Sequence, residues 1–225
     1  MIHDTDKPDT QFDTLVEQLH QAIENGESGA ALLTLKEADV EETAKLIDRI
    51  PAEDRKRLFG LLTPEQGAEV LEHVYYFQGA DIIEELAPDA AAAIIAELDS
   101  DDRADLLNEL EDADSNAILE ELDADVAEET RQFMAYPEGT AGALMYNEFV
   151  SFPAQMSVED ILNDIQVKRE EYIAYGVQYA YVLDPLGKLL GVLPVRNLLF
   201  ARRAQTAAQI MIPDPITVLA ETSIA

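Results

Sequence analysis

Pro51-AEDRKRLFGLL, Pro64-EQGAEVLEHV, Gln78-GADIIEEL, Pro88-DAAAAIIAEL, Asp101-DRADLLNEL, Asp112-ADSNAILEEL and Ala124-DVAEETRQF follow one another along the chain. The spacing is about a dozen residues, and a fixed short period of this kind marks stacked repeats. Most units open on Pro or Asp and carry an apolar pair a few residues before their close. Proline at the first helical position loses only an N–H that was orphaned anyway. Asp or Ser there caps free N–H groups and complements the helix dipole. A helix of nine or ten residues is too short to stand alone in water, so its apolar stripe must be buried on neighbours. The pattern predicts an all-α right-handed superhelical solenoid of short helices over residues 12–135.

Charge sits on the same stretch. The chain of 225 residues carries 46 Asp and Glu against 15 Lys and Arg, a net charge of −31. Up to Tyr136 there are 36 acids and 9 bases, and between Glu97 and Glu129 there are 15 acids and one base, Arg103. Such a surface repels nucleic acid and anionic membranes and attracts divalent cations or a basic partner. Apolar residues interleave with the acids, so a folded scaffold is expected rather than an acidic tail. There is no cysteine, which removes disulfides, thiolate metal sites and cysteine nucleophiles. The start MIHDTDKPDT is no signal peptide and reads as part of a loose leader over 1–11. The longest strongly apolar run, Ala90–Ala96, falls far short of the roughly 20 residues of a membrane span, so a soluble, cytoplasmic chain is expected.

After Tyr136 the pattern changes. Tyr136-PEGTAGALMYNEF has the glycine and proline content of a junction, placed at 136–145. Phe149-VSF reads as a strand, and Ser157-VEDILNDIQVKRE as a helix with Ser157 and Asp160 at capping-box spacing. Tyr179-AYVLD and Leu189-LGVLPV read as strands joined by the turn Pro185-LGK, Arg196-NLLFA as a short helix and Ile216-TVLA as one more strand.

Helical repeats, then YPEGTAGALM, then a β-α-β-β-α unit ending in GVLPVRNLL and QIMIPDP together resemble the cytosolic part of an MgtE-type magnesium transporter, over roughly residues 30–225. Tyr136, Pro137, Glu138, Ala141, Gly142, Leu144 and Met145 match the family's junction between the helical N domain and a cystathionine-β-synthase (CBS) domain. The resemblance implies an α+β multidomain chain: the N domain over 12–135, then a single α/β CBS domain over 146–225 with the start of a second such unit at its end. It also implies a regulatory role, in which Mg²⁺ packs the N and CBS domains together and shuts a membrane pore lying outside this sequence. The implied partners are Mg²⁺, that transmembrane domain at the inner face of the cell membrane, and a second copy through the CBS domains.

Carried over residue by residue, the resemblance implies Glu69, Asp101 and Asp105 as metal carboxylates and a backbone carbonyl near Gly142 or Ala143 as an oxygen ligand. The spacing of Asp101 and Asp105 agrees, since residues four apart share a helix face and two carboxylates there would welcome a hard cation. An EF-hand fails: Asp112, Asp114 and Asn116 fit its first ligand positions, but Ala117 stands where glycine is required and Asp123 where glutamate is. CBS domains often bind adenine nucleotides through Ser/Thr-x-x-Asp. Here Pro194-Val195-Arg196-Asn197 replaces the hydroxyl and the acid, leaving Arg196 and Asn197 as the residues a nucleotide would meet. No catalytic residues are assigned and no enzyme is expected: His3, His20 and His73 form no i, i+4 pair, and there is no GxSxG elbow or phosphate loop. The competing reading is an acidic helical-repeat interaction scaffold holding a basic peptide, with no metal role.

Overall fold

The computed structural model describes residues 10–38, 40–175 and 177–224. The chain divides between Glu138 and Gly139 into two compact units. The leader expected over 1–11 lies outside the described residues except at its end, where the first helix already opens at Thr10.

The first unit is built from α1 (Thr10–Asn25), α2 (Ser28–Glu37), α3 (Val40–Arg49), α4 (Ala52–Leu61), α5 (Pro64–Leu71), α6 (Tyr76–Glu84), α7 (Pro88–Ile95), α8 (Ser100–Glu109), α9 (Asp112–Glu121) and α10 (Ala124–Met134). From α2 onward the packing skips one helix. α2 lies on α4, α4 on α6, α6 on α8 and α8 on α10, while α5 lies on α7 and α7 on α9. The unit is thus a solenoid of two interleaved rows, and α1 closes its start by packing on α2, α3 and α4.

The period has a steric cause. Gly67, Gly79, Ala91, Arg103, Ser115 and Ala127 recur every twelve residues, and all are buried. They mark where a helix meets its next-but-one neighbour. A Cβ on Gly67 would stand 3.1 Å from the Ile94 side chain, and one on Gly79 would stand 3.0 Å from Leu106 Cδ1. Behind them Leu58, Ile82, Ile95 and Leu107 fill the core.

Helix starts follow the proline and acid pattern, with one correction. Thr63 caps α5 in a true capping box: its hydroxyl accepts from the Gln66 N–H, and Gln66 Oε1 accepts from the Thr63 N–H at 3.1 Å. α8, α9 and α10 are preceded by Asp99, Glu111 and Asp123, none of which makes a side-chain cap bond. Acids in the first turns of these helices therefore act through the helix dipole rather than through capping.

The second unit opens with a 3-10 turn at Gly142–Leu144, then β1 (Ser151–Pro153), α11 (Val158–Val167), α12 (Arg169–Ala174), β2 (Tyr179–Leu183), β3 (Leu189–Pro194), a 3-10 turn at Val195–Leu199, α13 (Ala207–Ile210) and β4 (Ile212–Pro213). The sheet order is β1-β2-β3-β4. β1 and β2 are parallel, which the helical crossover through α11 and α12 permits, and the other pairs are antiparallel. Ser157 caps α11 by accepting from the Asp160 N–H, as its spacing predicts. The β2–β3 turn is tied by Asp184 Oδ1, which accepts from Leu186 N–H and Lys188 N–H at 2.8 and 2.9 Å.

The strand expected at Ile216–Ala220 is not formed. The last strand is the shorter β4, which pairs Val192 with Ile212 and Gly191 with Pro213. Pro213 and Pro215 lack the N–H a longer ladder needs, and Asp214 between them turns the chain at φ 51°. Ile216, Val218 and Leu219 are left exposed.

Candidate functional site

The acidic surface of the first unit is organised around the start of α8. Asp101 and Asp105 stand one turn apart there, with Asp102 beside them. The Asp105 carboxyl is pushed above the usual carboxylate range, first by burial and then by the negative charges of Asp101, Asp102, Glu109 and Glu138. Glu72, just past the end of α5, is pushed up in the same way by burial and then by Asp102 and Asp99, with Glu69 adding to this and His73 opposing it. Tyr76, at the start of α6, donates its phenolic O–H to Asp102 Oδ1 at 2.8 Å. Burial and that bond to Asp102 both raise its pKa. Charge on α8 is thus under strain that a cation would relieve.

Glu69 is in a different state. Its Oε1 lies 2.9 Å from Lys36 Nζ on α2, so a lysine already neutralises it. His73 Nδ1 donates to the Glu69 backbone carbonyl at 2.7 Å. Among the described residues no three His, Asp or Glu side chains are gathered to hold a metal. Glu69, Asp101 and Asp105 therefore do not make one closed site. The donor set on α8 fits a hydrated Mg²⁺, which keeps several waters and needs only one or two carboxylates, and it does not fit an all-protein cage.

In the second unit Gly142 is buried in its 3-10 turn, with its N–H donating to Ala220 O at 2.7 Å and its carbonyl accepting from the Met145 N–H at 3.1 Å. The carbonyl the resemblance implies as a ligand is thus already a hydrogen-bond acceptor, and Ala143 follows in the same turn. Arg196 is exposed on the turn after β3, and Asn197 Nδ2 donates to Ile210 O at 3.1 Å. A pocket of about 270 Å³ lies elsewhere in this unit and is lined by Tyr146, Phe149, Tyr175, Tyr179 and Tyr181 beside Glu148. Neither Arg196 nor Asn197 is part of its lining.

Lys36, Glu72 and Tyr76 escaped the sequence reading. The run Tyr75-Tyr76-Phe77 was a visible signal, being three aromatics at a helix junction. Nothing local in the sequence links Lys36 to Glu69.

An array of short acidic helices ahead of a small mixed sheet defines a two-part class: a helical-repeat N domain followed by a CBS-like unit. Residues 38–139 match the family model of the MgtE intracellular N domain. The magnesium transporter MgtE of Thermus thermophilus is 33% identical over 211 residues, which is 92% of this chain and 46% of that protein. MgtE of Bacillus subtilis is 28% identical over 90 residues, 40% of this chain and 20% of that one. The cytosolic domain of the Mg²⁺ channel MgtE, solved in complex with ATP, superposes with a TM-score of 0.79 at 31% identity, covering 92% of this chain and 84% of that one. The soluble part of a magnesium transporter shares the fold at a TM-score of 0.80 and 24% identity, covering 94% and 83%. The chain belongs to the MgtE family, and it spans less than half the length of these two full-length relatives.

The strained carboxyl on α8 gives a pH prediction. A carboxyl whose folded pKa lies above its unfolded value of about 3.9 favours folding while protonated, and loses that contribution as pH rises through the folded value. At neutral pH the charged Asp105 therefore opposes folding. Asp105→Asn is expected to raise the melting temperature at pH 7 by roughly 1–3 °C. The gain should disappear near pH 3.5, about where the carboxyl itself is protonated. Thermal scans by far-ultraviolet circular dichroism at both pH values check this.

Proposed function

We propose that this chain is the cytosolic, Mg²⁺-responsive regulatory part of a magnesium transporter, acting on a transmembrane pore through Mg²⁺-dependent packing of its N domain and CBS-like unit. The observation that carries the reading is the likeness, at 31% identity over 92% of this chain, to the cytosolic domain of the Mg²⁺ channel MgtE, together with Asp101, Asp102 and Asp105 crowded on the start of α8. A divalent cation favours whichever arrangement gathers such charges, so binding shifts the population toward it. In this reading Asp101 and Asp105 meet hydrated Mg²⁺, Glu69 is a further carboxylate once Lys36 lets go, and a backbone carbonyl near Gly142 or Ala143 is a further oxygen ligand. Exposed Leu199, Phe200, Ile216 and Leu219 on the second unit support pairing with another copy. The Arg196–Asn197 turn is the place the same reading gives to an adenine nucleotide.

Limited proteolysis at residues 136–145 during a Mg²⁺ titration tests the proposal. Protection at millimolar Mg²⁺, beyond that given by NaCl of equal ionic strength, is expected. Equal protection by the two salts would favour an interaction scaffold instead. Lys36 adds a sharper expectation. Because its ammonium competes for Glu69, Lys36→Met should move the Mg²⁺ midpoint roughly two- to fivefold lower, the range an exposed ion pair can supply. An unchanged midpoint would remove Glu69 from the ion's contacts.

A further inference from the structure

A pocket of about 260 Å³ opens among α5, α6 and α8 of the first unit. Leu71, Leu98 and Leu106 give it an apolar lining, and Glu72 and Asp102 give it two carboxylates. Tyr75 and Tyr76 complete its wall. Its size lies below the roughly 300–1,000 Å³ of small-molecule sites, so it suits one long side chain rather than a cofactor. The surface around it is unusual. Tyr75, Tyr76 and Phe77 are consecutive and each is about half exposed or more. Tyr75 and Phe77 are stacked, with ring centres 5.7 Å apart and planes within 6°. Tyr76 is held in place by its bond to Asp102. No ion pair or side-chain hydrogen bond engages the Glu72 carboxylate among the described residues.

From this geometry we infer that the pocket receives an arginine side chain from a partner polypeptide, with the guanidinium on Glu72 and Asp102, its flat face against Tyr75 and its methylene stem along the leucines. Arginine fits each part of the lining. Its guanidinium is planar, weakly hydrated and stacks on aromatic rings, and its stem is apolar. Lysine is a compact, strongly hydrated charge and gains less from such walls. A hard metal ion wants a shell of oxygens, and the leucines deny it one. Charge complementarity supplies the rest. Thirty-six acids precede residue 137 in this chain, so the long-range field steers a basic segment toward this face. Tyrosine and arginine are among the residues enriched at the anchors of protein contacts. Asp101 and Asp105 do not line the pocket, but Asp102 between them does, so the two readings are separated by testing this one without Mg²⁺.

The test uses the full chain, isotopically labelled, in Mg²⁺-free buffer, and a glycine-flanked peptide with one arginine. Its citrulline and lysine counterparts are titrated alongside. Expected are saturable NMR shifts confined to residues such as Tyr76, Gly79 and Leu106, none with citrulline, and weaker binding of lysine. Glu72→Gln and Tyr75→Ala should each weaken the arginine peptide roughly two- to fivefold, as exposed ion-pair and cation–π contacts do. Asp112→Asn on α9 should leave it unchanged. Equal shifts from citrulline, equal affinity for lysine, or shifts spread over α8 to α10 would overturn the inference. So would an Asp112→Asn effect as large as that of Glu72→Gln, or binding indifferent to both pocket variants.

Discussion

Gly191→Ala is expected to detach β4 from the sheet of the second unit. A Cβ at this position would stand 2.6 Å from the Ile212 carbonyl oxygen and 2.6 Å from Met211 Sδ. The methionine can swing away, since its unbranched side chain adapts readily. The carbonyl cannot move without taking β4 with it, because Ile212 and Pro213 are the whole of that strand. Overpacking typically costs about 1–3 kcal/mol, and a clash with backbone belongs at the upper end. Hydrogen exchange gives the direct readout. The Asp214 N–H donates to Leu190 O at 3.3 Å across this edge and should lose its protection in the variant. Unchanged exchange there, with unchanged stability, would show that the edge has room for a methyl group.

Arg103→Ala is expected to cost the helical unit about 2–4 kcal/mol. Arg103 occupies the twelve-residue position that is otherwise Gly, Ala or Ser, yet the residue is only 6% exposed. Its Nη2 donates to Leu98 O at 2.8 Å, beyond the end of α7, and its Nη1 lies 3.7 Å from Glu129 Oε2 on α10. Truncation removes a charge-assisted bond to a buried carbonyl and leaves a void where α8 meets α10. Arg103 Nε has no hydrogen-bond partner among the described residues, so the wild-type arrangement already carries one unmet donor there. Arg103→Met fills the space without that donor and is expected to recover about half of the loss. Urea unfolding of the three proteins separates the two terms. Equal losses for Ala and Met would assign the whole effect to the bond with Leu98.

The helical array was legible because its cause is local. Pro64 and Pro88 open α5 and α7 where the pattern places them, and the apolar pairs fall in the core. Asp101 and Asp105 were legible as neighbours because helix geometry alone brings residues four apart together. The pairing of Glu69 with Lys36 and the bond from Tyr76 to Asp102 were not, since they join helices distant in sequence through packing. Ile216–Ala220 misled for the opposite reason. Its β-branched residues favour a strand, and the prolines just before it end the ladder first. The small residue shared by Gly67 and Gly79 could have been read directly from the repeated Gln-Gly-Ala in the two units.

Packing that skips one helix sets a rule for how this architecture can change length. Removing a single helix would swap the two rows downstream and set every later contact surface against the wrong partner. Removing a consecutive pair, about 24 residues, would close the gap with both rows still in phase. Natural relatives of different size should therefore gain or lose their helices by twos.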